Sequence, residues 1–287
     1  MLFALGLIWG GSFLGVELAL TGFGPVTLAA SRIALAAVLL WILVRWRGDA
    51  VPRLSDPKGP RIWLHLVIFA LFTNAVPFAL LSWAQGSVTS GFAGITMAVV
   101  PLLVLPLAHL MVPGEQMTRR KLAGFLIGFV GVVVLIGLPE GSGSNLARLA
   151  CVAASCCYAI GSINTRLCPP VGLVAYSAAG LGLAAAIMIP AALLIEGVPS
   201  VPDATALGGV LYLGLFPTAL ATVMLVSVTR SAGPSFLSLV NYQVPVWAVI
   251  LGAAVLGERL PAAFLGALAL IVGGMLVSRP KLQRIRP

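Results

Sequence analysis

The amino-acid sequence predicts an all-α integral membrane protein with ten transmembrane helices, arranged as a 5+5 inverted-topology repeat. Three observations lead to this prediction: 60% of the residues are hydrophobic, only 9% are charged, and the apolar runs are long enough to cross a bilayer. Because lipid offers the backbone no hydrogen-bond partners, runs of this length should be helices. The sequence also lacks the alternating pattern of barrel strands.

The predicted spans follow one another along the chain, separated by charged or Pro- and Gly-rich breaks. Most are close to the roughly 20 residues that a helix needs to cross the hydrocarbon core. The first span lacks a basic start and a cleavage signature, so we expect it to be retained and not removed as a signal peptide. The ten spans are 1–20, 27–45, 62–84, 88–112, 121–138, 147–166, 172–195, 207–229, 233–256 and 262–278.

The net charge of +9 arises from short clusters of Lys and Arg between the spans. Most of these clusters share one side of the membrane if both termini are cytoplasmic. The positive-inside rule therefore predicts cytoplasmic N- and C-termini, and we expect the protein to lie in a bacterial-type inner (plasma) membrane. The clusters lack the interleaved aromatic residues of a nucleic-acid surface, so the expected partners are the lipid bilayer and a small molecule, not nucleic acid.

The two halves of the chain carry the same pattern of residues. In the first half Pro101 precedes Gly114-Glu115 and a glycine-rich span; in the second, Pro245 precedes Gly257-Glu258 and another such span. The matches lie roughly 145 residues apart. Since five spans is an odd number, the second copy must be inverted in the membrane. We predict repeats over 1–138 and 147–278, a linker at 139–146 and a basic cytoplasmic tail at 279–287.

Three motifs along the chain form a recognisable set. They are Trp9-Gly10-Gly11-Ser12-Phe13, Ser31-Arg32-Ile33, and the doubled Pro…Gly-Glu…Gly pattern just described. With them, nearly the whole chain resembles the drug/metabolite transporter superfamily with paired EamA-like domains. The resemblance implies a ten-helix carrier that exports amino acids or other metabolites. Within the superfamily the chain looks most like the bacterial aromatic-amino-acid exporters (YddG-type).

Several spans carry polar and aromatic side chains on a single helical face. Because polar groups are costly against lipid, such faces should point into the bundle. Interhelical hydrogen bonding and plain packing explain any one residue equally well, but together the faces favour a substrate cavity. The predicted substrate-binding residues are Trp9, Phe13, Asn74, Phe78, Tyr158, Ser162, Thr222, Ser238, Asn241 and Tyr242.

Two charged residues fall inside spans, Glu17 in the first and Arg32 in the second. Buried charges in lipid are usually paired, so we expect a structural Glu17–Arg32 contact. Arg32 has two interpretations, a pin between helices and a binding group for a substrate carboxylate. The sequence favours the pin.

Helix breakers and glycines suggest how the bundle is packed. The repeat-related Pro101 and Pro245 fall near span centres and are predicted to act as hinges, with static kinks as the alternative. Gly124 and Gly128 have GxxxG spacing, which predicts close helix packing, and a homodimer is as acceptable as a monomer. Each glutamate of the doubled motif should face the start of the helix that follows it.

No grouping in the sequence points to an enzyme. There is no P-loop, and no nucleophile–base or metal-binding cluster, so we expect no cofactor and no metal. The four cysteines, Cys151, Cys156, Cys157 and Cys168, are interpreted as packing residues. We therefore expect a secondary transporter that exports small neutral metabolites, amino acids (aromatic or neutral) foremost, by alternating access around a midplane cavity. The alternatives are efflux of drugs or other metabolites and, less favoured, a passive pore.

Overall fold

The structure, a computed structural model, describes residues 1–137, 144–258 and 262–278. Every regular element in these ranges is helical. The helices are α1 Leu2–Ala19, α2 Pro25–Arg47, α3 Gly59–Gln85, α4 Ser90–Met111, α5 Arg119–Gly137, α6 Asn145–Leu167, α7 Leu173–Ile195, α8 Ala204–Ala232, α9 Val244–Leu256 and α10 Ala262–Ser278.

Seven of the helices in the described ranges, α1 to α4 and α6 to α8, are long and apolar enough to cross a membrane. Shorter apolar stretches follow at Val244–Leu256 and Leu265–Gly274. The chain is therefore a multi-pass, all-helical membrane protein. The predicted ninth span is broken into a short helix at Pro234–Leu237, a 3₁₀ segment at Ser238–Tyr242, and α9.

Four helical stretches are interrupted by irregular turns, in two matching pairs. A π segment occupies Ala70–Ala75 of α3 and another Gly214–Leu220 of α8, while 3₁₀ segments at Met97–Val99 and Ser238–Tyr242 precede Pro101 and Pro245. The π segments begin 144 residues apart (214 − 70), as do the two prolines (245 − 101). Each of these prolines is the second residue of an α-helical stretch, where its missing N–H has no intrahelical partner to lose.

The bundle is held together largely by contacts between the halves. Helix α1 packs on α9 and on the start of α4, α2 packs on α7, and α6 packs on the second part of α3. Helices α5 and α10 pack on each other so closely that a Cβ on Gly274 would collide with the backbone of Gly124 and Gly128. The predicted GxxxG contact is thus used within one chain, and a dimer is not needed to explain it.

The start of α2 is capped by a carboxylate from the end of α7. Glu196 accepts hydrogen bonds from the backbone N–H groups of Val26 (2.9 Å) and Thr27 (2.8 Å). These N–H groups have no partner inside their own helix, and the helix dipole favours a negative charge there. A Cβ on Gly24 would collide with the Glu196 carboxylate, which is why a glycine precedes the helix.

Glu258 caps the start of α4 in the same way. Its carboxylate accepts from the backbone N–H groups of Ser90 (2.8 Å) and Gly91 (3.0 Å). We expected this glutamate to face the helix that follows it, but it faces a helix start in the other half of the chain. Glu115, its counterpart in the first half, forms an ion pair with Lys121 (3.5 Å) in the first turn of α5.

Candidate substrate cavity

A cavity lies inside the bundle, between helices of both halves. It encloses about 970 Å³ of empty space, a figure that includes its opening to solvent. Its walls come from α1, α2, α3 and α4 in the first half and from α6, α8 and the segment around Ser238–Tyr242 in the second. A space of this kind suits a small metabolite more than a polymer.

The structure brings most of the predicted binding residues together around this cavity. Nine of the ten line it, while the side chain of Tyr242 lies outside the described part of the structure. Their role toward a substrate stays a prediction. The nine are Trp9, Phe13, Asn74, Phe78, Tyr158, Ser162, Thr222, Ser238 and Asn241.

Helix α1 contributes one regular face to the wall. Trp9, Ser12, Phe13 and Val16 follow the i, i+3, i+4, i+7 spacing of a helix and all line the cavity. The Ser12 hydroxyl donates to the carbonyl oxygen of Trp9 (2.6 Å), so it is satisfied within its own helix. This wall therefore presents mainly aromatic and aliphatic surface.

The π segments of α3 and α8 place polar side chains in the wall. In α3 the Asn74 side chain donates to the carbonyl oxygen of Phe69 (3.3 Å), and in α8 the Thr218 hydroxyl donates to that of Leu213 (2.7 Å). Both bonds reach back five residues and lie 144 positions apart in the chain. Thr73, next to Asn74, lines the cavity as well.

The 3₁₀ segment before α9 supplies further polar groups. Asn241 donates to the carbonyl oxygen of Ser238 (3.3 Å), and the Ser238 hydroxyl donates to that of Ser235 (2.8 Å). The predicted hinges do not line the cavity themselves, but the residues before them, Val100 and Val244, do. The irregular turns of α4 and of the stretch before α9 thus border the cavity.

Arg32 lies in the cavity wall and is not paired with Glu17. It is 4% exposed, its Nε donates to the Thr218 hydroxyl (3.0 Å), and its guanidinium carbon lies 3.9 Å from the centre of the Phe78 ring. In the described ranges, ion pairs join Arg47 to Asp49 and Lys121 to Glu115 only.

The reason for the missing pair is depth in the bundle. Glu17 is two residues from the end of α1, whereas Arg32 is seven residues into α2, about 10 Å along the helix axis. The expected Glu17–Arg32 contact is therefore replaced by contacts of Arg32 to α8 and α3.

Three buried polar atoms around the cavity lack a hydrogen-bond partner among the described residues. They are the hydroxyl oxygens of Thr73 and Ser162 and the Oε1 oxygen of Gln85. The other polar atom of the Gln85 amide, Nε2, donates to the carbonyl oxygen of Phe13 (2.9 Å). A buried polar group without a partner is costly. Because these atoms are covered by the wall itself, a bound molecule reaches them only if the wall rearranges around it.

Some wall residues were not among the predicted binding residues. Among these further wall residues are Ser12, Thr73, Gln85, Met97 and Pro217. Ser12 and Gln85 lie on the same helical faces as predicted residues, so periodicity could have found them. Thr73 lies next to the predicted Asn74, within the π segment.

Comparisons with known proteins agree on the class of this chain. The EamA-like transporter family matches it twice, over residues 1–137 and 145–279. The uncharacterized inner membrane transporter YedA of Escherichia coli (strain K12) is 28% identical over 273 residues, 94% of this chain and 87% of that protein.

Two further relatives have names that mention a substrate. A probable terminal-alkyne amino-acid exporter of Streptantibioticus cattleyicolor is 29% identical over 286 residues, 97% of this chain and 92% of that protein. An S-adenosylmethionine/S-adenosylhomocysteine transporter of Chlamydia trachomatis serovar D is 26% identical over 291 residues, 96% of this chain and 86% of that protein.

A solved crystal structure shares the fold. It has a TM-score of 0.73 and 24% sequence identity, and the match covers 96% of this chain and 95% of that one. The family and the named relatives are membrane transporters and not enzymes, as the sequence predicted. The two family matches together span nearly the whole sequence, and the chain therefore belongs to the EamA-like transporter family.

Proposed function

We propose that this protein is a secondary transporter that exports small, partly apolar, net-neutral metabolites by alternating access, with amino acids as the leading candidates. The observation that carries the proposal is the cavity between the two halves, lined by nine of the ten predicted residues. A site shared by two bundles can be exposed to either side of the membrane in turn as the bundles rock.

The architecture behind this mechanism is a 5+5 inverted-topology repeat of ten spans. The two family matches support it, as do the paired π segments and prolines at a separation of 144 residues. We assign the repeats to 1–138 and 147–278, with 139–146 as the linker and 279–287 as a basic cytoplasmic tail. In this arrangement Pro101 and Pro245 hinge the two bundles beside the cavity, and both termini are cytoplasmic.

The walls favour a substrate with an apolar, preferably aromatic, side group. Trp9, Phe13, Phe78 and Tyr158 all face the cavity, and the polar wall groups apart from Arg32 are neutral. The relatives' names agree on transport but differ in substrate, so the YddG-type branch stays a prediction. Efflux of drugs or other metabolites is the second candidate, because the same aromatic surface would accept them.

The test is uptake of labelled Phe, Trp, Thr, Met and Lys into proteoliposomes that contain the purified protein. We expect saturable uptake of Phe and Trp, competed by unlabelled substrate. In the variant W9A the rate of this uptake should fall at least about tenfold, because the cavity wall loses the indole ring. The matched control W46A, at a tryptophan that is 83% exposed, should keep it.

Other outcomes would redirect the proposal. Unsaturable flux with measurable conductance would indicate a pore. No uptake of any amino acid, with or without a proton gradient, would overturn amino-acid export and favour efflux of other metabolites.

A further inference from the structure

We propose that Arg32 is the anchor for a carboxylate group of the transported molecule. The inference rests on the proposed function and narrows its substrate class. Substrates should be carboxylic acids, including zwitterions such as amino acids, whose net charge is zero but whose carboxylate is ionised. Arg32 would then be a specificity-determining residue and not a pin between helices.

The guanidinium has hydrogen-bonding capacity left over on its cavity side. Arginine carries five N–H donors, and the described contacts of Arg32 use one, from Nε to Thr218. One face of its plane is covered by the Phe78 ring at 3.9 Å. The terminal nitrogens of a residue that lines the cavity are the natural donors for a planar, two-oxygen acceptor.

No carboxylate among the described residues neutralises this charge in the wall. Arg32 is the one charged residue among the described residues that line the cavity. The expected partner, Glu17, does not pair with it, and Glu196 and Glu258 are engaged at helix starts. An uncompensated cation at this depth is costly, and a bound carboxylate removes that cost.

The orientation of Arg32 is fixed by a chain of hydrogen bonds that begins at a proline. Pro217 has no N–H to donate to the carbonyl oxygen of Leu213, four residues earlier, and the π segment that follows Leu213 brings the backbone N–H of Thr218 to that oxygen instead. The Thr218 hydroxyl donates its single proton to that oxygen, which leaves its own oxygen to accept from Arg32. The guanidinium is therefore held in one plane before any substrate arrives, as a binding group should be.

The repeat shows that the fold itself does not require a cation here. Helices α2 and α7 are both 23 residues long, and Arg32 and Gly180 are the eighth residue of each. Gly180 packs against the Phe69 ring, with no room for a side chain. At the 144-residue offset of the π segments and prolines the counterpart of Arg32 is instead the buried Tyr176, so by either comparison the second half has no cation here, which points to a site-specific role.

The test compares matched pairs of acids and amides on the purified full-length protein. The pairs are L-phenylalanine with L-phenylalaninamide, and 3-phenylpropionate with 3-phenylpropanamide. Proteoliposome uptake is one readout. The other is the ligand-induced rise in unfolding temperature in detergent, which reports binding without transport.

The variants are R32Q, R32K and R230Q. Arg230 is a matched control, because it too donates a hydrogen bond to another helix or loop (to the carbonyl oxygen of Val171) and lies beside an aromatic ring (4.5 Å from the centre of Tyr176), yet does not line the cavity. R32K keeps the positive charge but loses the planar group that can donate to both oxygens of a carboxylate. If R32Q fails to fold, R32K still tests the proposal.

We expect wild type and R230Q to prefer the acid over its amide by at least about tenfold. R32Q should lose this preference and R32K should keep only part of it. Equal uptake of acid and amide by wild type, or an unchanged preference in R32Q, would overturn the anchor while leaving export intact. Acid binding that depends on Arg32, without any transport, would overturn the proposed function and support the anchor. Neither binding nor uptake of any acid would overturn both.

Discussion

At the scale of single residues, two polar side chains of the wall donate to carbonyl oxygens at the start of the π segments. Thr218 and Asn74 each donate to a carbonyl oxygen five residues earlier, at matching positions of the two π segments. Such a bond satisfies a buried hydroxyl or amide donor within its own helix, so that the side chain is not left unpaired. The same turns that provide these oxygens for side-chain donors thus place polar groups beside the cavity.

The variant T218V tests this coupling. Valine keeps the shape of threonine but cannot accept from Arg32, so the buried Nε of Arg32 loses its acceptor, and the carbonyl oxygen of Leu213 loses one of its two donors. We expect the free energy of unfolding to fall by about 1–3 kcal/mol. Denaturant unfolding of the detergent-solubilised protein measures it. The control T21V removes an exposed hydroxyl that donates to Leu18 and should change little, and an equal loss in both variants would contradict the argument.

At the scale of helices, two carboxylates of the second half cap two helix starts of the first. Glu196 binds the start of α2 and Glu258 the start of α4. A cap supplied by the other half ties the halves together as well as completing the helix. Such contacts hold this end of the bundle in the observed arrangement.

The cap at Glu196 should make stability depend on pH. Burial raises the pKa of Glu196, but hydrogen bonds from the Thr27 side chain and from the backbone of Val26 and Thr27 lower it more, so the pKa lies below its ordinary 4.5. The ionised cap therefore stabilises the folded state above about pH 4.5, and this contribution is lost as the pH falls through the lowered pKa.

The measurement is the unfolding temperature of wild type and E196Q from pH 6 down to pH 3. We expect E196Q to be less stable at pH 6 by about 1 kcal/mol, with the difference shrinking in acid. D49N is the control, because Asp49 forms only a surface ion pair with Arg47 (3.2 Å), which contributes little. A difference between wild type and E196Q that stays constant with pH would refute a charged cap.

At the scale of the whole molecule, the distribution of basic loops predicts how the bundle lies in the membrane. Val201, between α7 and α8, is 97% exposed, and Leu54, between α2 and α3, is 65% exposed. In a background with the four native cysteines replaced, V201C should react with a membrane-impermeant maleimide in intact cells. L54C should react only after permeabilisation, and the reverse pattern would contradict cytoplasmic termini.

Sequence periodicity located most of the cavity but not its details. Trp9 and Phe13 lie on a regular helical face, so hydropathy and spacing placed them correctly in the wall. Thr73, next to the predicted Asn74, was missed because a cavity wall is wider than one line of i, i+3, i+4, i+7 positions. The ninth span was predicted as one helix, yet a 3₁₀ segment divides it, since local propensity carries little information on such interruptions.

The sequence by itself determined the class of this protein. Apolar length, low charge and a doubled motif are properties of neighbouring residues, and they suffice for a multi-pass helical transporter of the EamA-like family. Only the tertiary structure decided the partners of the charged groups. Arg32 bonds Thr218 across 186 residues and Glu258 bonds Ser90 across 168. Such contacts depend on how helices pack in three dimensions, which no local pattern of residues encodes.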